Sequence, residues 1–332
     1  MTEPLVEIAN LSKHFQVGGG SLFRRGGATL RAVDEVSLRI MAGETLGLVG
    51  ESGCGKSTLG RLLIRLIEPT DGQIFFAGEE ITRLGTKAMR TRRQRMQIVF
   101  QDPYGALNPR MTVEDIVMEP LLIHGARADA ASRKRVADML KLVGLPARAI
   151  TRFPHEFSGG QRQRIGIARA LVLNPGFIVC DEAVSALDVS VQAQIINLLQ
   201  DLQAELKLTY LFIAHDLSVV RHISNRVAVM YLGKVVEIAD RTAIYDAPLH
   251  PYTQALIASV PAQHPRDRAR DKEGRVRARG DIPSALRPPP GCRFHTRCPY
   301  AMDVCRSVVP PLATTAQGHE VACHLVNPPQ AA

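Results

Sequence analysis

Short apolar runs recur along the chain and predict the strands of a buried sheet. The first two, "LVEIANL" and "VSLRI", flank a glycine-rich stretch that predicts a hairpin-type loop. The later runs have the length and the continuous apolar character of strands in parallel sheets. They are "TLGLVG", "QIVF" at 97–100, "FIVC" at 177–180 and "YLFIA" at 210–214.

The segments between these strands show helical spacing instead. In "SVQAQIINLLQDLQAEL" the isoleucine and leucine residues recur near the spacing of one helix face, which predicts an amphipathic helix. Strands that alternate with helices indicate an α/β fold. Residues 102–175 interrupt this alternation with mostly helical patterns and with turn signals such as "QDPYGALNP". We therefore predict an inserted helical subdomain at about 102–175.

The character of the chain changes again after about residue 260. A charge-rich stretch follows there and leads to "PPPGC". We place a domain boundary at this point. The first domain is predicted to span residues 4–260, and a small C-terminal extension is predicted to span residues 261–332.

Composition indicates a soluble globular chain, with 45% hydrophobic and 22% charged residues. No apolar run approaches the roughly 18 residues that a membrane span requires. The start, "MTEPLVEIAN", lacks the pattern of a secretory signal, so we expect the chain to be cytosolic. The net charge of +9 suits nucleic acid, an anionic membrane or a polyphosphate. The basic runs "KAMRTRRQR" and "RDRARDKEGRVRAR" lack interleaved aromatic residues, which favours solvated surface over a nucleic-acid site.

The strongest local motif is "GESGCGKST", which follows a predicted strand and precedes a helix-compatible run. It fits the P-loop pattern G-x-x-x-x-G-K-[ST]. Its glycines let the backbone wrap around phosphates, Lys56 reaches the β and γ phosphates, and Ser57 ligates Mg²⁺. Cys54 is interpreted as filling a variable position. The predicted phosphate site consists of Gly50, Glu51, Ser52, Gly53, Cys54, Gly55, Lys56, Ser57 and Thr58.

Polar side chains follow three of the predicted strands. Asp181 and Glu182 end "FIVCDE", His215 follows "YLFIA", and Gln101 follows "QIVF". Open α/β sheets bind ligands beyond the carboxyl ends of their strands, so we expect these residues at the same site. Asp181 is assigned to Mg²⁺, Glu182 to the general base, and His215 to the γ-phosphate and the attacking water. Gln101 suits Mg²⁺ or that water, and Ser57, Gln101 and Asp181 are the predicted magnesium ligands.

A second candidate anion site lies in "FSGGQRQRIGIARAL", where a Ser-Gly-Gly turn opens a predicted helix. The order of these elements resembles the ABC transporter ATPases over roughly residues 4 to 260. That order is P-loop, Gln101, signature turn, Asp181 with Glu182, "SALD" and His215. The signature and "SALD" residues are Ser158, Gly159, Gly160, Gln161 and Asp188.

The resemblance implies a P-loop NTPase core with an antiparallel β subdomain and the inserted helical subdomain. It also implies Mg²⁺-dependent ATP hydrolysis, with Phe15 stacking on adenine. In this family the signature turn completes the nucleotide site of an opposing subunit, so dimerisation with a second ABC ATPase is implied. Phe157 replaces the common leucine before the signature, and Ala183 replaces the common proline after Glu182. Both carboxylates remain, so we expect an active site.

The stretches "LHPYTQAL" and "GDIPSALRPPPGCRFHTRCPYAMDVC" resemble the C-terminal extension of ATPases from bacterial oligopeptide, dipeptide and nickel importers. Together with the P-loop, glutamine and signature stretches, they are most similar to the second ATPase subunit of dipeptide permeases. This implies a heterodimer of ATPases, two membrane permease subunits that bind the segment after Gln101, and an extracytoplasmic peptide-binding protein. The chain would lie at the cytoplasmic face of the inner membrane and power import of di- or oligopeptides.

Other functions remain open at this point. A soluble ABC ATPase acting on nucleic acid or ribosomes would suit the +9 charge. The chain shows neither the long coiled-coil insertion nor the second ATPase domain of many such proteins, so no nucleic-acid partner is expected. A nickel chelate or glutathione could replace peptide as the cargo.

Four cysteines in the extension form the last candidate site. Their spacing contains no C-x-x-C pair, which excludes the usual zinc-finger pattern, and a cytosolic chain disfavours disulfides. Resemblance to the importer family implies a [4Fe–4S] cluster, while zinc and uncoordinated thiols remain alternatives. The four residues are Cys292, Cys298, Cys305 and Cys323.

Overall fold

The computed structural model describes residues 3–18, 28–259 and 276–328. Most of the predicted glycine-rich loop, and the basic run at 266–279 up to residue 275, lie outside the described residues. The strands are β1 (Pro4–Val17), β2 (Ala28–Met41), β3 (Thr45–Val49), β4 (Asp71–Phe76), β5 (Glu79–Glu80), β6 (Met96–Val99), β7 (Phe177–Asp181), β8 (Thr209–Ile213), β9 (Arg226–Tyr231), β10 (Lys234–Asp240), β11 (Ala313–Thr314) and β12 (Glu320–Val321).

The helices fill the intervals between these strands. Short 3₁₀ helices also occur at Ala147–Ala149 and Pro154–Glu156. The α-helices are α1 (Lys56–Leu63), α2 (Thr86–Arg93), α3 (Pro103–Ala106), α4 (Val113–Ile123), α5 (Ala130–Leu142), α6 (Gly159–Leu171), α7 (Val189–Leu206), α8 (Leu217–Ile223), α9 (Arg241–Asp246), α10 (Pro251–Ala258) and α11 (Val304–Ser307).

The described chain divides into two compact units. The first comprises the described residues of Met1–Val6, Arg39–Thr45 and Phe75–Ala214. In this unit β7 pairs in parallel with β6 on one side and with β8 on the other. Both β7 and β8 are buried along their whole length, as their continuous apolar sequences predict. Helices α4, α5 and α6, which lie between β6 and β7 in the chain, pack against one another.

The second unit comprises the described residues of Glu7–Leu38, Leu46–Ile74 and His215–Ala332. Five of its strands lie in the order β3, β9, β10, β12, β11. Most of β1, β2 and β4 also lies in this unit, and these strands belong to a separate four-stranded sheet of order β2, β1, β4, β5. Strand β3 pairs in parallel with β9, and β10 pairs in antiparallel fashion with both β9 and β12. Strand β12 lies in the predicted C-terminal extension, and its pairing with β10 joins it to the sheet that carries β3.

The apolar runs chosen from the sequence all form strands, and the predicted helix at 190–206 forms α7. The sequence analysis did not predict β9 and β10. Strand β10 contains Glu237 in its middle, and a carboxylate there looks like a surface residue in the sequence. In the structure Glu237 is fully buried, because it accepts hydrogen bonds from the backbone N–H groups of Leu249 (2.8 Å) and His250 (3.0 Å).

Among the helices of the described residues, none is long and apolar enough to cross a membrane.

Candidate active site

The predicted phosphate-binding loop connects β3 to α1 in the second unit, and its glycines are required by the backbone geometry. Gly50, Gly53 and Gly55 all have positive φ angles, of 153°, 76° and 109°. A Cβ atom at Gly50 would lie 2.1 Å from the carbonyl oxygen of Met230, and one at Gly55 would lie 2.0 Å from that of Ala32. A Cβ at Gly53 would meet open space. The loop is thus packed on its inner side and open at Gly53, which fits a phosphate cradle.

The side chain of Lys56 folds back onto the phosphate-binding loop and hydrogen-bonds to its backbone. This side chain is 5% exposed, and its ammonium donates to the carbonyl oxygens of Gly50 (2.8 Å) and Glu51 (3.0 Å). An ammonium has three donors and no acceptor, so it is held at the loop by carbonyls and can also serve phosphate oxygens. Cys54 is buried in the same loop, and burial raises the pKa of its thiol. The remaining loop residues are half-buried or exposed: Ser52, Ser57 and Thr58.

In the first unit, the structure brings Gln101 and Glu182 together. The Gln101 side-chain Nε2 donates to Glu182 Oε2 at 2.8 Å, although 81 residues separate them in the chain. Asp181 ends β7 and is 2% exposed. Glu182 follows with a φ of 50°, and its backbone N–H donates to Ile213 at 3.0 Å. A non-glycine residue in the left-handed region is strained, and such strain is concentrated at functional sites.

The signature turn lies at the start of α6 and forms a capping box. The Ser158 hydroxyl accepts from the Gln161 N–H (3.4 Å), and the Gln161 side chain accepts from the Ser158 N–H (3.1 Å). A Cβ at Gly160 would lie 2.4 Å from a Val191 methyl carbon, and one at Gly159 would lie 3.2 Å from Leu187. The two glycines therefore let α6 approach α7 and the turn that precedes it.

Asp188, the aspartate of "SALD", precedes α7 as its N-cap residue. Its carboxylate makes no capping hydrogen bond, and the residue is exposed. The signature turn and this aspartate thus belong to the same unit as Gln101, Asp181 and Glu182.

His215 and Phe15 belong to the second unit. His215 is exposed and directly precedes Asp216, whose side chain caps α8 by accepting from the Ser218 N–H at 2.7 Å. Phe15 lies on β1 and is half-buried, and the Lys13 ammonium lies 5.1 Å from the centre of its ring. The residues predicted for one ATP site are therefore distributed over both units.

The donor atoms of the predicted magnesium ligands suit that ion. Ser57 offers a hydroxyl, Asp181 a carboxylate and Gln101 an amide oxygen, and Mg²⁺ prefers oxygen ligands. Because Gln101 uses its nitrogen to hold Glu182, its oxygen is left for the metal or for water. Across residues 3–18, 28–259 and 276–328, no three His, Cys, Asp or Glu side chains lie close enough together to hold a metal ion.

The four cysteines of the extension, here called the four-thiol site, are free thiols. The pKa of Cys292 is raised to about 12, mainly by burial and in smaller part by the neighbouring thiols of Cys305, Cys323 and Cys298. Burial also raises the pKa of Cys298 and Cys323, and in each case other thiols of the site add to the increase. At Cys292, Cys298 and Cys323, neighbouring thiols of the site therefore add to burial in disfavouring the thiolate.

Backbone N–H groups oppose this effect at three of the four thiols. Hydrogen bonds from the main chain two residues further on lower the pKa of each thiol, although burial outweighs them. The pairs of donor and acceptor residues are Phe294 with Cys292, Tyr300 with Cys298, and Leu325 with Cys323. A single tetrahedral zinc ion needs sulfurs at about 2.3 Å from one point. The thiols as placed do not meet that requirement, since no three potential ligands among the described residues converge on an ion.

Two residues outside the motifs predicted from the sequence also contact the phosphate-binding loop. The Tyr252 hydroxyl accepts from the Glu51 backbone N–H at 2.9 Å. The Arg297 guanidinium donates to both carboxylate oxygens of Glu51, at 2.9 and 3.0 Å. Tyr252 belongs to the "LHPYTQAL" stretch, which was noticed only as a resemblance, and no sequence signal indicated a role for Arg297.

Comparison with known families gives two matches that follow one another along the chain. A family described as "ABC transporter" matches residues 33–185. A family described as "Oligopeptide/dipeptide transporter, C-terminal region" matches residues 236–305. The second match covers most of β10, all of α10 and three of the four cysteines.

Curated relatives match almost the whole chain. The oligopeptide transport ATP-binding protein AppF of Bacillus subtilis is 53% identical over 98% of this chain and 98% of its own length. A probable peptide ABC transporter ATP-binding protein, y4tS of Sinorhizobium fredii, is 51% identical over 100% of this chain and 93% of its own length.

Solved structures of ABC cassettes share the fold. The dimeric post-hydrolysis structure of the ATP-binding cassette MJ0796, bound to ADP and Pi, matches with a TM-score of 0.62 and 31% identity over 71% of this chain and 98% of that one. CbiO1 from Clostridium perfringens, part of the transporter complex cbiONQ, matches with a TM-score of 0.63 and 26% identity over 74% and 92% of the two chains. They confirm the predicted α/β fold, a P-loop NTPase core of the ABC ATPase type with an antiparallel subdomain. The chain belongs to the ABC transporter family and is one of its ATP-binding proteins.

Proposed function

We propose that this chain is the ATP-hydrolysing subunit that powers import of di- or oligopeptides across the bacterial inner membrane. The observation that carries this proposal is the match of residues 236–305 to the C-terminal region of oligopeptide and dipeptide transporters. Relatives named for oligopeptide and peptide transport align over 98 to 100% of the chain, which supports the same cargo. These names favour peptide over nucleic acid, ribosomes, nickel chelate or glutathione.

The proposed chemistry assigns one task to each polar group. Lys56 binds the β and γ phosphates. Ser57 and Asp181 would hold Mg²⁺, whose charge would offset the negative charge on the phosphate oxygens. Glu182 accepts the proton of the attacking water, and Gln101 keeps that carboxylate in place through the 2.8 Å hydrogen bond. His215 contacts the γ-phosphate, and Phe15 stacks on adenine.

We propose that the signature turn acts on a nucleotide bound to a second ATPase subunit. The capping box of Ser158 and Gln161 gives the turn a fixed shape before any partner arrives. Support for a two-subunit arrangement comes from MJ0796, whose cassette was solved as a dimer. The partner in this case is a second, different ABC ATPase, and the pair alternates between open and closed states as ATP binds and is hydrolysed.

The membrane permease subunits are proposed to bind the helical segment that follows Gln101. Apolar side chains are exposed there, with Tyr104 at 66%, Leu122 at 44% and Ile123 at 52%. Tyr104 is held in place because Arg162 stacks over its ring at 3.8 Å. Exposed apolar residues of this kind support a docking surface for protein. The chain would then lie peripherally at the cytoplasmic face of the inner membrane, next to a system that includes an extracytoplasmic peptide-binding protein.

We also propose the domain division at residue 260, with the ATP-binding domain at 4–260, its helical subdomain at about 102–175 and the extension at 261–332. Helices α3 to α6 within 103–171 support the subdomain.

Purification of the tagged chain from detergent-solubilised membranes tests the proposed function. We expect mass spectrometry to find two polytopic membrane proteins and a second, different ABC ATPase with it. Matched purification of a chain with Leu122 and Ile123 changed to serine should lose the polytopic proteins, because these residues supply the exposed apolar surface. Recovery of a homodimer, ribosomes or nucleic acid instead would contradict the importer assignment.

We further propose that the four-thiol site holds an iron–sulfur cluster. The N–H groups aimed at three of its sulfurs support this, since such hydrogen bonds stabilise thiolates and tune cluster potentials. Among the described residues no three potential ligands converge on a metal ion of any kind, so the proposal depends on these N–H groups and on the resemblance to the importer family. A cluster held by these four cysteines would supply positive charge to their thiolates, two of which are buried and two partly buried.

Iron and acid-labile sulfide in anaerobically purified protein test this assignment. We expect both in stoichiometric amounts, and we expect Cys298→Ser to lower them. Cys180→Ala is the matched control, because Cys180 is a fully buried core residue of β7. Colourless protein with stoichiometric zinc would refute the cluster.

A further inference from the structure

We infer that Arg297 is a positioning residue of the phosphate-binding loop, and that the segment Cys292–Cys298 transmits the state of the four-thiol site to that loop. This segment has the sequence "CRFHTRC" and begins and ends with cysteines of the site. Between them, Arg293, Phe294 and Arg297 contact residues at or next to the loop. All of these residues lie in the second unit. The inference depends on the nucleotide-binding part of the proposed function and not on the cargo.

The contact between Arg297 and Glu51 is largely shielded from water. The Arg297 side chain is 11% exposed and that of Glu51 is 24% exposed, and both Glu51 oxygens accept from the same guanidinium nitrogen. A shielded, charge-assisted contact is stronger than an ion pair on an open surface. Arg297 therefore restricts the side chain of the first loop residue after Gly50.

The main chain of Glu51 is held at the same time by two other groups. Its N–H donates to Tyr252 at 2.9 Å, and its carbonyl accepts from Lys56 at 3.0 Å. Lys56 is the residue expected to bind phosphate. A shift of Glu51 would therefore also move an acceptor of the Lys56 ammonium. The contact from the extension thus bears on the geometry of the residue that binds phosphate.

Phe294 keeps the segment at this position. Its side chain is 1% exposed and packs against Tyr231 and Tyr252, with ring centroids at 5.3 and 5.4 Å, and against His250 at 5.9 Å. Aromatic contacts at these distances add specific stabilisation to the burial of the ring. Because Tyr252 also accepts from Glu51, the aromatic cluster connects Phe294 to the loop.

Arg293 provides a second connection. It donates to the carboxylate of Asp34 on β2. It also donates to the carbonyl oxygen of Leu232, which lies in the turn between β9 and β10. The next residue of that turn, Gly233, donates its N–H to the carbonyl oxygen of Cys54 at 2.8 Å. Arg293 therefore supports the turn that holds the middle of the phosphate-binding loop.

The two ends of the segment are thus cysteines of the four-thiol site, and its middle residues contact the phosphate-binding loop and the turn beside it. The Phe294 N–H bonds to the sulfur of Cys292, and the Tyr300 N–H bonds to that of Cys298. A change at these sulfurs displaces the ends of a seven-residue segment whose middle is closely packed. A loop that already has its nucleotide-binding conformation loses less conformational entropy when nucleotide binds. Loss of the contacts that hold this conformation is therefore expected to weaken nucleotide affinity.

The test measures binding of fluorescently labelled ADP to the isolated chain by anisotropy, in parallel with thermal unfolding without nucleotide. Arg297→Gln is expected to weaken ADP binding about ten-fold, the effect of losing one charge-assisted contact. Arg306→Gln is the matched control, since Arg306 also adjoins a cysteine of the site but is 71% exposed and forms an ion pair with Asp303, at 3.8 Å, away from the phosphate-binding loop. Its affinity should equal that of the wild type.

A double-mutant cycle identifies the partner of Arg297. Glu51→Gln should weaken ADP binding to a similar degree, and the double variant should be no weaker than either single variant. Arg297→Lys should restore part of the affinity. If Arg297→Gln lowers the unfolding temperature but leaves ADP affinity within two-fold of the wild type, the residue is merely structural and the inference is wrong. Additive losses in the cycle would equally refute the pairing.

The link to the thiols is tested in the same assay. Cys298→Ser should weaken ADP binding in the wild-type background and have no further effect in the Arg297→Gln background. A loss of equal size in both backgrounds would refute transmission through Arg297. If the wild-type chain itself fails to bind ADP, the nucleotide-binding function fails. If it binds ADP and Arg297→Gln does not matter, only the present inference fails.

Discussion

Replacement of Glu182 by glutamine is expected to lower ATP turnover by about 10²–10⁴-fold, which is the typical contribution of a general base. The amide has the same shape as the carboxylate but cannot accept the proton of the attacking water. The hydrogen bond from Gln101 Nε2 survives, because the new side chain keeps an oxygen at the accepting position. ATP binding should therefore persist while hydrolysis stops.

The measurement is phosphate release by the complex of this chain with its partner subunits, together with binding of labelled ATP. Glu205→Gln is the matched control, because Glu205 is an exposed carboxylate near the end of α7 and the charge change is the same. Its turnover should equal that of the wild type. Unchanged hydrolysis in Glu182→Gln would mean that Glu182 is not the base. Loss of ATP binding would mean that it supports the nucleotide directly.

The backbone at Glu182 supports the proposal that this carboxylate, and not that of Asp181, is the general base. Asp181 is 2% exposed at the end of β7, whereas Glu182 turns out of the strand through a left-handed φ of 50°. That conformation costs about 1–3 kcal/mol and is retained here at the carboxyl end of a fully buried strand. The strain separates two adjacent carboxylates, so that one can serve a metal ion and the other the attacking water.

Much of the fold could be predicted because its signals are local. Strands β7 and β8 are continuous apolar runs, and the phosphate-binding loop requires glycines at three closely spaced positions. The pairing of β12 with β10 could not be predicted, since it joins residues more than 80 positions apart through two-residue contacts. Strand β10 could not be predicted because it contains Glu237. The N–H groups that donate to this buried carboxylate come from Leu249 and His250, in the loop before α10.

The same distinction applies to the candidate site. Gln101, Asp181 and Glu182 were predicted from strand ends, although only the structure shows that Gln101 holds Glu182. Arg297 lies 246 residues from Glu51 in a stretch rich in arginine, and in the sequence nothing distinguishes it from Arg306. The two arginines differ in burial and in the carboxylate that each contacts, and tertiary packing decides both.

The replacement of Lys56 by glutamine is expected to weaken nucleotide binding about 100-fold, because two charge-assisted hydrogen bonds to phosphate at about 1.5 kcal/mol each are lost. The measurement is anisotropy of labelled ADP on the isolated chain. Lys87→Gln is the matched control, since Lys87 is exposed at the start of α2 and its replacement lowers the net charge of +9 by the same amount as that of Lys56. An equal loss in both variants would show that the whole field of the protein attracts the anion, and not Lys56.

Comparison of Lys56 with Arg297 then separates phosphate binding from loop support. Both residues bond to Glu51, but Lys56 reaches its carbonyl and Arg297 its carboxylate. Loss of Lys56 should remove most of the preference for ADP over AMP, because the ammonium contacts the phosphate that AMP lacks. Loss of Arg297 should weaken both nucleotides by similar factors, since it changes the shape of the loop without removing a phosphate ligand. Lys56→Arg should bind ADP as weakly as Lys56→Gln. Lys56 is only 5% exposed, and the larger planar guanidinium does not fit in its place.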